Sequence, residues 1–455
     1  MQFDENSNMD FIKSKAEQLK RNSSISLKDY VKGDIKRGLR NSDGTGVVAG
    51  ITKICNVRGY YIQDGEKLPM DGKLFYRGIS MSDLVKGFLA EKRFGYEETA
   101  YLLLFGELPN AQQLNEFNSI LSEYRDLPTR FSEDMILAAP SRNIMNKLAR
   151  SVLALYSYDP NPEAYGIENE LNKALGLIAR CPVIVAHAYA ARRHYFYNDS
   201  LYLHRPQEGL SLAENFLYSI RRDNSFTDDE ARLLDLCLVV HAEHGGGNNS
   251  AFSCRVLSST GTDIYSSISA AVGSLKGYRH GGANKKVSEM YRYIKSEVRD
   301  WKDDDELVSC LNRIVNKETG DGSGLIYGIG HAIYTLSDPR AVVLKQVAKS
   351  LAAKKGYLEE FELYESVERL GPAVLREFRN EPDKALCANV DMYSGLVYRM
   401  LEIPEELFTP LFAVARMVGW CAHRIEEVYN PNKIIRPAYK VIAPIHDYVP
   451  LDERI

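Results

Sequence analysis

Three short segments of the chain each carry a side chain that can transfer a proton, and glycine stands directly beside it in two of them. His280 lies in Gly-Tyr-Arg-His-Gly-Gly-Ala-Asn, His331 ends Gly-Ile-Gly-His, and Asp391 ends Asn-Val-Asp. Small neighbours let a backbone and a ligand approach closely. Two imidazoles and one carboxylate are suited to removing a proton from carbon and polarising a carbonyl group. The sequence therefore predicts an active site for such chemistry.

A fourth segment, which carries His241 and His244, allows several interpretations. The two histidines are three residues apart at a predicted helix end, so they share one face, and three glycines follow His244. They could contribute to a zinc site, although no carboxylate stands at ligand spacing, or they could be hydrogen-bonded core histidines. His244 could also bind a ligand, because the glycines leave space. The oxyanion segment of an α/β-hydrolase is excluded, since the chain has no Gly-x-Ser-x-Gly sequence.

The pair Gly328 and Gly330 is similar to part of a dinucleotide-binding sequence. The full Gly-x-Gly-x-x-Gly pattern needs a third glycine where the chain has Ile333, and the surroundings do not alternate between strand and helix. A dinucleotide-binding fold is therefore not predicted. The two glycines could still form a turn whose backbone groups contact an adenine or a pyrophosphate, and this interpretation stays open.

Three arginines are candidates for binding carboxylates. Arg340 follows an Asp-Pro turn, Arg416 follows an apolar helical run, and Arg436 lies in an Ile-Ile-Arg-Pro sequence. A guanidinium group binds a carboxylate through two hydrogen bonds, so three that converged would fit a substrate with two carboxylates. For Arg340 and Arg416 the alternative is an arginine exposed to solvent.

The elements that must position these residues are mainly helices. From residue 81 onward, apolar spacing predicts successive helices, including residues 168–197, 228–244, 264–275 and 408–429. Residues 43–76 differ, because they are rich in glycine and β-branched residues and contain Asp64-Gly65 and Asp71-Gly72 turn signals. The predicted fold class is all-α, with two helical domains and a few short surface strands near residues 43–76.

The composition is typical of a soluble globular protein. The chain has 455 residues, of which 45% are hydrophobic and 26% charged, and a net charge of −4. This charge gives no reason to expect nucleic acid or an anionic membrane as a partner. We predict no membrane-spanning segment and no N-terminal targeting sequence. Seven cysteines without a Cys-x-x-Cys pair are typical of reduced thiols, so we expect a cytoplasmic protein without a disulfide framework.

The chemical segments and several further landmarks follow one another from about residue 43 to about residue 436. In this order the chain resembles the citrate synthase family, of the all-α dimeric type. The landmarks include Leu-Phe-Tyr-Arg-Gly at 74–78 and Gly-Glu-Leu-Pro at 106–109. The segments that carry the resemblance are residues 241–244, 275–284, 328–340, 389–395 and 416–420.

The resemblance implies a role for each candidate residue. Asp391 is expected to take a methyl proton from acetyl-CoA, while His280 hydrogen-bonds the thioester oxygen and stabilises the enol or enolate. His331 is expected to polarise the carbonyl group of oxaloacetate, and His244 to help hold that substrate. Three arginines are expected to bind the carboxylates of oxaloacetate: Arg340, Arg416 and Arg436. A loop is expected to contact the adenine of CoA, and it consists of Leu325, Ile326, Tyr327, Gly328, Ile329 and Gly330.

The resemblance also implies a domain arrangement and an assembly. The site is expected between a large domain, residues 1–280 plus 389–455, and a small domain, residues 281–388, that closes over it. Arg436 is expected to reach the neighbouring subunit's site, which makes a homodimer the functional unit. Acetyl-CoA and oxaloacetate are the expected partners, and neither a metal nor another cofactor is implied.

Two other functions stay open. 2-Methylcitrate synthase, which uses propionyl-CoA, shares the fold and the catalytic set, and one methylene changes discrimination by only about 1–3 kcal/mol in an apolar pocket. The second alternative is a catalytically silent homologue. The intact set of two catalytic histidines, one aspartate and three arginines argues against it.

The chain departs from the family's pattern beside two of the expected site histidines. Glu243 and Gly245, on either side of His244, stand where many relatives have Asp and Glu. Before and after His280, Arg279 and Lys285 add positive charge. We therefore predict that Arg279 or Lys285 contacts the phosphates of CoA.

Overall fold

The computed structural model describes residues 15–16, 18–20, 22–26, 28, 30, 35–41, 43–430 and 433–454. The chain forms two compact units, Met1–Ile51 and Thr52–Ile455. In the described part of the first unit, a 3₁₀ turn covers Arg37–Leu39 and an antiparallel bridge joins Arg40 to Gly46. All candidate site residues belong to the second unit.

The second unit consists mainly of helices, as the apolar spacing predicts. Side-chain caps fix where several of them begin. At the start of the helix that leads to His241, for example, Thr227 accepts a hydrogen bond from the amide of Glu230, whose side chain accepts one from the amide of Thr227. The helices are α1 Met81–Ala90, α2 Tyr96–Phe105, α3 Ala111–Glu123, α4 Ile144–Ala154, α5 Ile167–Tyr197, α6 Leu212–Ile220, α7 Asp228–His241, α8 Asn249–Ser258, α9 Ile264–Lys276, α10 Ala283–Glu297, α11 Asp304–Val315, α12 Pro339–Lys354, α13 Leu358–Arg379, α14 Asp391–Met400 and α15 Phe408–Tyr429.

Two of these helices lie at the centre of the core and carry site residues. Most of α15 is buried, including the large side chains Arg416, Trp420 and Arg424. The second half of α7 is also buried up to His241. Because an arginine side chain is seldom fully buried without a partner, the position of Arg416 inside the core indicates a site.

The long helix α5 is a core helix with the composition of a membrane span. Its most apolar 18-residue stretch has a mean hydropathy of 1.5, long and apolar enough to cross a membrane. However, 78% of that stretch is buried inside the protein. By length and composition alone, this helix departs from the expectation that the chain has no segment able to span a membrane.

A small antiparallel sheet precedes the helices, in the order β1 Cys55–Gln63, β2 Glu66–Tyr76 and β3 Ile79–Ser80. Asp64 and Gly65 connect β1 to β2 with φ of 51° and 82°, values that suit a tight hairpin turn. The predicted strands are therefore confirmed, although the first begins at Cys55 and not near residue 43. The inner end of β2 is buried at Leu74 and Tyr76.

The predicted turn at Asp71-Gly72 is wrong, because Gly72 lies within β2. A Cβ at position 72 would be 2.2 Å from the carbonyl oxygen of Ser337, and one at Gly59 would be 2.5 Å from that of Ile333. Both glycines therefore let the loop after His331 lie directly on the sheet. The reason for these glycines is a tertiary contact, not a turn.

The predicted small domain, residues 281–388, comprises α10 to α13 and the loop that contains His331. Both α10 and α12 pack on α14, the helix that begins at Asp391. These boundaries, and closure of this domain over the site, stay a prediction.

Candidate active site

His244, His331 and Tyr334 form a cluster of rings. The ring centroids of His244 and His331 are 5.2 Å apart and nearly perpendicular, and Tyr334 stacks on His331 at 4.6 Å. The Tyr334 hydroxyl lies 3.2 Å from Nε2 of His244. The structure thus brings together two of the predicted residues and adds a tyrosine to which the sequence analysis gave no role.

The backbone around His331 determines which ring nitrogen carries its proton. The amides of Ile333 and Tyr334 both donate to Nδ1 of His331 at 3.1 Å. Because Nδ1 accepts, the proton of the neutral ring lies on Nε2. His331 is therefore set up to donate a hydrogen bond from Nε2.

The loop after His331 is attached to the small sheet. Thr335 accepts a hydrogen bond from the amide of Met70 at 3.1 Å, and its hydroxyl contacts the carbonyl of Gly59. Ser337 accepts a hydrogen bond from the amide of Gly72 at 3.1 Å. The sheet thus holds the loop that carries His331 in a fixed position.

Arg340 lies at the start of α12 in a buried ion pair with Asp338. The guanidinium donates from Nε at 3.0 Å and from a terminal nitrogen at 2.7 Å to the two oxygens of Asp338. The same carboxylate accepts a hydrogen bond from the amide of Val390 at 3.2 Å. Because Asp391 directly follows Val390 in the chain, this contact places Arg340 beside Asp391.

Asp391 is the first residue of α14 and is partly buried. Its amide donates to Oδ1 of Asn389 at 3.0 Å, and Nδ2 of Asn389 donates to the carbonyl of Gly330 at 2.9 Å. The amide of Gly330 in turn donates to the carbonyl of Cys387 at 2.8 Å. These bonds pair the segment before His331 with the segment before Asp391, which brings the two candidates to one site.

Burial changes the acid–base properties of Asp391. It raises the pKa of the carboxyl group to about 6, with a further contribution from Asp338, while the positive charges of Arg340 and Arg416 oppose the rise. A carboxylate with a pKa near 6 is a stronger base than an exposed aspartate and is still ionised at neutral pH. This is the property that a general base requires.

His280 lies in the loop between α9 and α10 and contacts α8. Its Nε2 is 3.2 Å from the hydroxyl of Ser250, which is also 2.8 Å from Oδ1 of Asn248. Burial and the charge of Arg416 lower the pKa of His280 to about 4, so its ring is neutral at physiological pH. The sequence analysis missed Ser250, because no local pattern shows that the start of α8 faces this loop.

Arg416 is a fully buried cation with unused hydrogen-bonding capacity. Its Nε donates to the carbonyl of His241 at 2.6 Å, and its guanidinium lies 4.7 Å from the centroid of the Phe412 ring. Both terminal nitrogens are buried without a hydrogen-bond partner among the described residues. Two parallel N–H donors in this state are a receptor for a carboxylate.

Among the described residues, His241 neither joins a group that could hold a metal ion nor makes a hydrogen bond through its ring. Its two ring nitrogens are buried without hydrogen-bond partners among the residues that the structure describes, and its ring packs on Phe412 at 4.5 Å. In the same described residues, no group of three or more His, Cys, Asp or Glu side chains could hold a metal ion. His244, in contrast, belongs to the ring cluster.

Arg436 is not part of this cluster. It is exposed in an extended segment, and its side chain makes no hydrogen bond or ion pair with other described residues. The backbone of the preceding Ile435 is attached to α8 through the hydroxyl of Ser259 at 3.1 Å. The structure therefore separates Arg436 from the other two candidate arginines.

The segment of residues 325–330 lies beside a pocket of about 240 Å³. Leu325 and Tyr327 line the pocket together with Lys286 of α10, whereas Ile326 points into the core. The carbonyl of Gly328 accepts from the amide of Asn389 at 2.8 Å, so the backbone of the glycine turn is partly used within the protein.

The two basic residues predicted beside His280 have local partners. Arg279 donates to the hydroxyl of the exposed Tyr278 at 2.9 Å, and Lys285 lies 3.8 Å from a carboxylate oxygen of Glu289. Both side chains are exposed. A contact of either with CoA stays a prediction.

Comparison with known proteins identifies the family. A family model described as citrate synthase, C-terminal domain, matches residues 41–438. The chain belongs to the citrate synthase family. A citrate synthase from Synechocystis sp. is 36% identical over 390 residues, which cover 85% of this chain and 89% of that protein. The 2-methylcitrate synthase 1 of Corynebacterium glutamicum is 30% identical over 427 residues, 92% of this chain and 98% of its own length.

A solved citrate synthase structure agrees with the fold. The ternary complex of the Thermoplasma acidophilum enzyme with carboxymethyl coenzyme A and oxaloacetate has a TM-score of 0.74 at 26% identity, covering 92% of this chain and 99% of that one. The all-α fold class is therefore confirmed, and the citrate synthase family consists of acyltransferases. The role of each site residue stays a prediction.

Proposed function

We propose that this protein is a citrate synthase, which condenses acetyl-CoA with oxaloacetate and hydrolyses citryl-CoA to citrate and CoA. One observation carries the proposal: Asp391, with its raised pKa, lies at one site with a histidine donor and two buried arginines. A base, a hydrogen-bond donor for a carbonyl and cations for a dicarboxylate are what the reaction needs. The solved Thermoplasma relative in complex with a coenzyme A derivative and oxaloacetate supports the choice of substrates.

Oxaloacetate binds, in this proposal, between the ring cluster and the arginines. The unpaired terminal nitrogens of Arg416 receive one carboxylate, and Arg340 supplies the second positive charge. His331 donates from Nε2 to the ketone oxygen, and His244 helps to hold the substrate. The ketone carbon then becomes more electrophilic, because its oxygen bears more negative charge.

Asp391 removes a proton from the methyl group of acetyl-CoA. A thioester methyl is a weak acid, so the oxygen of the forming enolate must receive a hydrogen bond while charge develops. His280 is neutral, so one of its two ring nitrogens carries a proton and can supply that bond. The enolate carbon then attacks the polarised ketone to give citryl-CoA, which water hydrolyses.

CoA binds along residues 325–330 in this proposal. The pocket beside Leu325 and Tyr327 offers apolar and aromatic walls, and Lys286 provides a cation at its edge. Hydrogen bonds to residues 387–389 hold the turn at Gly328 and Gly330, so the side open to a ligand is formed by Leu325 and Tyr327. No metal or other cofactor takes part in the proposed reaction.

We also propose that the enzyme is a homodimer, in which Arg436 completes the neighbouring site. The segment after Arg436 exposes large apolar side chains, since Tyr439 is 90% and Ile445 99% accessible to solvent. A second copy of the chain would cover such side chains and bring Arg436 close to another active site. We place the enzyme in the cytoplasm, where its seven cysteines, all free thiols, would stay reduced.

The experiment that tests the function is release of CoA thiol by the purified protein with oxaloacetate, using acetyl-CoA and propionyl-CoA at equal concentration. A preference for acetyl-CoA would support the proposal. Equal or higher rates with propionyl-CoA would favour 2-methylcitrate synthase, the alternative to which the Corynebacterium relative points. Folded protein without activity on either would refute catalysis and favour a silent homologue.

A further inference from the structure

A series of buried polar groups lies directly behind His244. The carboxylate of Glu243 is fully buried and accepts two hydrogen bonds at Oε1, from the amide of Gly245 at 2.6 Å and from Nε2 of His423 at 2.9 Å. Glu243 and Gly245 are the two neighbours of His244 in the chain. The carboxylate therefore fixes the turn that presents His244 to the site.

The other side of the His423 ring contacts an arginine. Arg255 of α8 donates to Nδ1 of His423 from Nε at 3.1 Å and from a terminal nitrogen at 2.6 Å. A guanidinium group only donates, so Nδ1 must accept, and the ring proton lies on Nε2, facing Glu243. Arg255 is held in turn by Glu427 at 2.7 Å and by Glu426. The direction of each hydrogen bond between these groups is thus determined.

One face of α15 is shaped around Glu243. Arg416, Gly419 and His423 follow at spacings of three and four residues, which places them on the same side of the helix. A Cβ at position 419 would lie 2.1 Å from Oε2 of Glu243, so glycine is needed to leave room for the carboxylate. Because a buried charge is unfavourable alone, the negative Glu243 stabilises the positive charge of Arg416.

We propose that Glu243, held by His423 and Arg255, is a positioning residue for the oxaloacetate pocket. It fixes the turn at His244 and compensates the buried positive charge of Arg416, whose terminal nitrogens stay open to a substrate carboxylate. The inference rests on the proposed function, since it concerns the pocket for the dicarboxylate. Among the described residues, no hydrogen bond of Glu243 or His423 reaches His280, Asp391 or residues 325–330, so a change at Glu243 should affect the binding of one substrate and not the other.

The chain offers a matched control in the same helix. Arg424 directly follows His423 but faces α5, where Glu170 accepts hydrogen bonds from its Nε at 3.1 Å and from a terminal nitrogen at 2.9 Å. Glu170 and Glu243 are both buried and both paired with α15, but only Glu243 contacts the turn at His244. A glutamine at either position removes one buried negative charge at nearly constant size.

Steady-state kinetics of Glu243→Gln and Glu170→Gln test the proposal. Glu243→Gln should raise the KM for oxaloacetate about 10- to 100-fold, the range for loss of hydrogen bonds to a charged group. The KM for acetyl-CoA at saturating oxaloacetate should stay unchanged. Glu170→Gln should lower the Tm and leave both KM values as in the wild type. Equal oxaloacetate KM values in the two variants would overturn the proposal, because Glu243 would then be merely structural.

A second pair of variants covers the case in which Glu243→Gln does not fold. In His423→Gln the new side chain can donate to Glu243 and accept from Arg255, whereas His423→Leu can do neither. We expect nearly normal oxaloacetate KM in the first and a raised value in the second. The same KM in His423→Leu as in the wild type would contradict the inference.

Direct binding separates this inference from the proposed function. Calorimetric titration with oxaloacetate alone should show weaker binding to Glu243→Gln than to Glu170→Gln, whether or not thioester is consumed. If the wild type binds oxaloacetate but releases no CoA, the proposed function fails while the positioning role is still tested. Unaltered oxaloacetate binding to Glu243→Gln would refute the positioning role alone.

Discussion

Replacement of Asp391 by asparagine should abolish catalysis and at the same time stabilise the folded protein. The carboxylate accepts no hydrogen bond from other residues in the described part of the chain, and burial is the main cause of its raised pKa. The folded state therefore disfavours the ionised form that the reaction needs. An amide of the same shape has no charge to desolvate, so the substitution removes the free-energy cost of burying the charge. It does so without breaking a hydrogen bond.

The size and sign of the effect follow from the pKa. Burial raises the pKa of Asp391 from 3.8 to about 6, and one pKa unit corresponds to about 1.4 kcal/mol, so ionised Asp391 lowers the free energy of unfolding by about 3 kcal/mol. Below pH 3.8 the group is protonated in both states and the effect vanishes. Between pH 3.8 and 6 it grows, and above pH 6 it is constant. Asp391→Asn should therefore be more stable than the wild type at pH 8 and nearly equal to it at pH 4.

Unfolding in urea at pH 8 and pH 4, at one protein concentration, measures this difference. A concentration fixed across all samples is needed, because association contributes to the stability of a dimer. Asp383→Asn, a change at an exposed residue, controls for the loss of a carboxylate elsewhere. The reasoning is refuted if Asp391→Asn is no more stable than the wild type at pH 8. It is equally refuted if the difference between the two is the same at both pH values.

The remaining predictions concern the pH profile, the support of the site and the assembly. Since only the ionised form of Asp391 is a base, kcat/KM for acetyl-CoA should fall about tenfold per pH unit below pH 6, as a pH–rate profile would show. Ser250→Ala removes the contact with His280 and should lower kcat about tenfold with little change in KM for oxaloacetate, measured in steady state. Gly72→Ala should destabilise the protein by about 1–3 kcal/mol in thermal unfolding, because the new methyl group would overlap the carbonyl of Ser337. Joint refolding of Arg436→Ala and Asp391→Asn subunits should restore about a quarter of wild-type activity, because half of the dimers then contain one intact site of their two. No recovery of activity would contradict a site shared between subunits.

The sequence singles out the histidines and the aspartate through local patterns, while their roles stay predictions. Glycine stands directly beside His280 and His331, and the segments stand in one order along the chain. The helical periodicity that surrounds them is likewise a local property, so the helices and the Asp64-Gly65 hairpin are correctly predicted. What a residue and its immediate neighbours determine can be inferred without the fold.

Contacts between distant parts of the chain could not be predicted in this way. Gly72 has the sequence of a turn, but its role is to let a loop more than 260 residues away lie on β2. Ser250 is separated from His280 by a whole helix, and no spacing rule relates the two. The exposed position of Arg436 likewise depends on where the chain runs after α15. In each case the partner that explains the residue is brought close only by the folded chain.

The charge state of the site depends on the fold in the same sense. Burial has opposite effects on the two kinds of acid–base group, because it disfavours whichever form is charged. It raises the pKa of Asp391 to about 6 and lowers that of His280 to about 4. Above pH 6 the first group is therefore an ionised base while the second is a neutral hydrogen-bond donor. A single physical cause thus gives both residues the protonation states that the proposed enolisation requires, although neither shift can be inferred from the sequence.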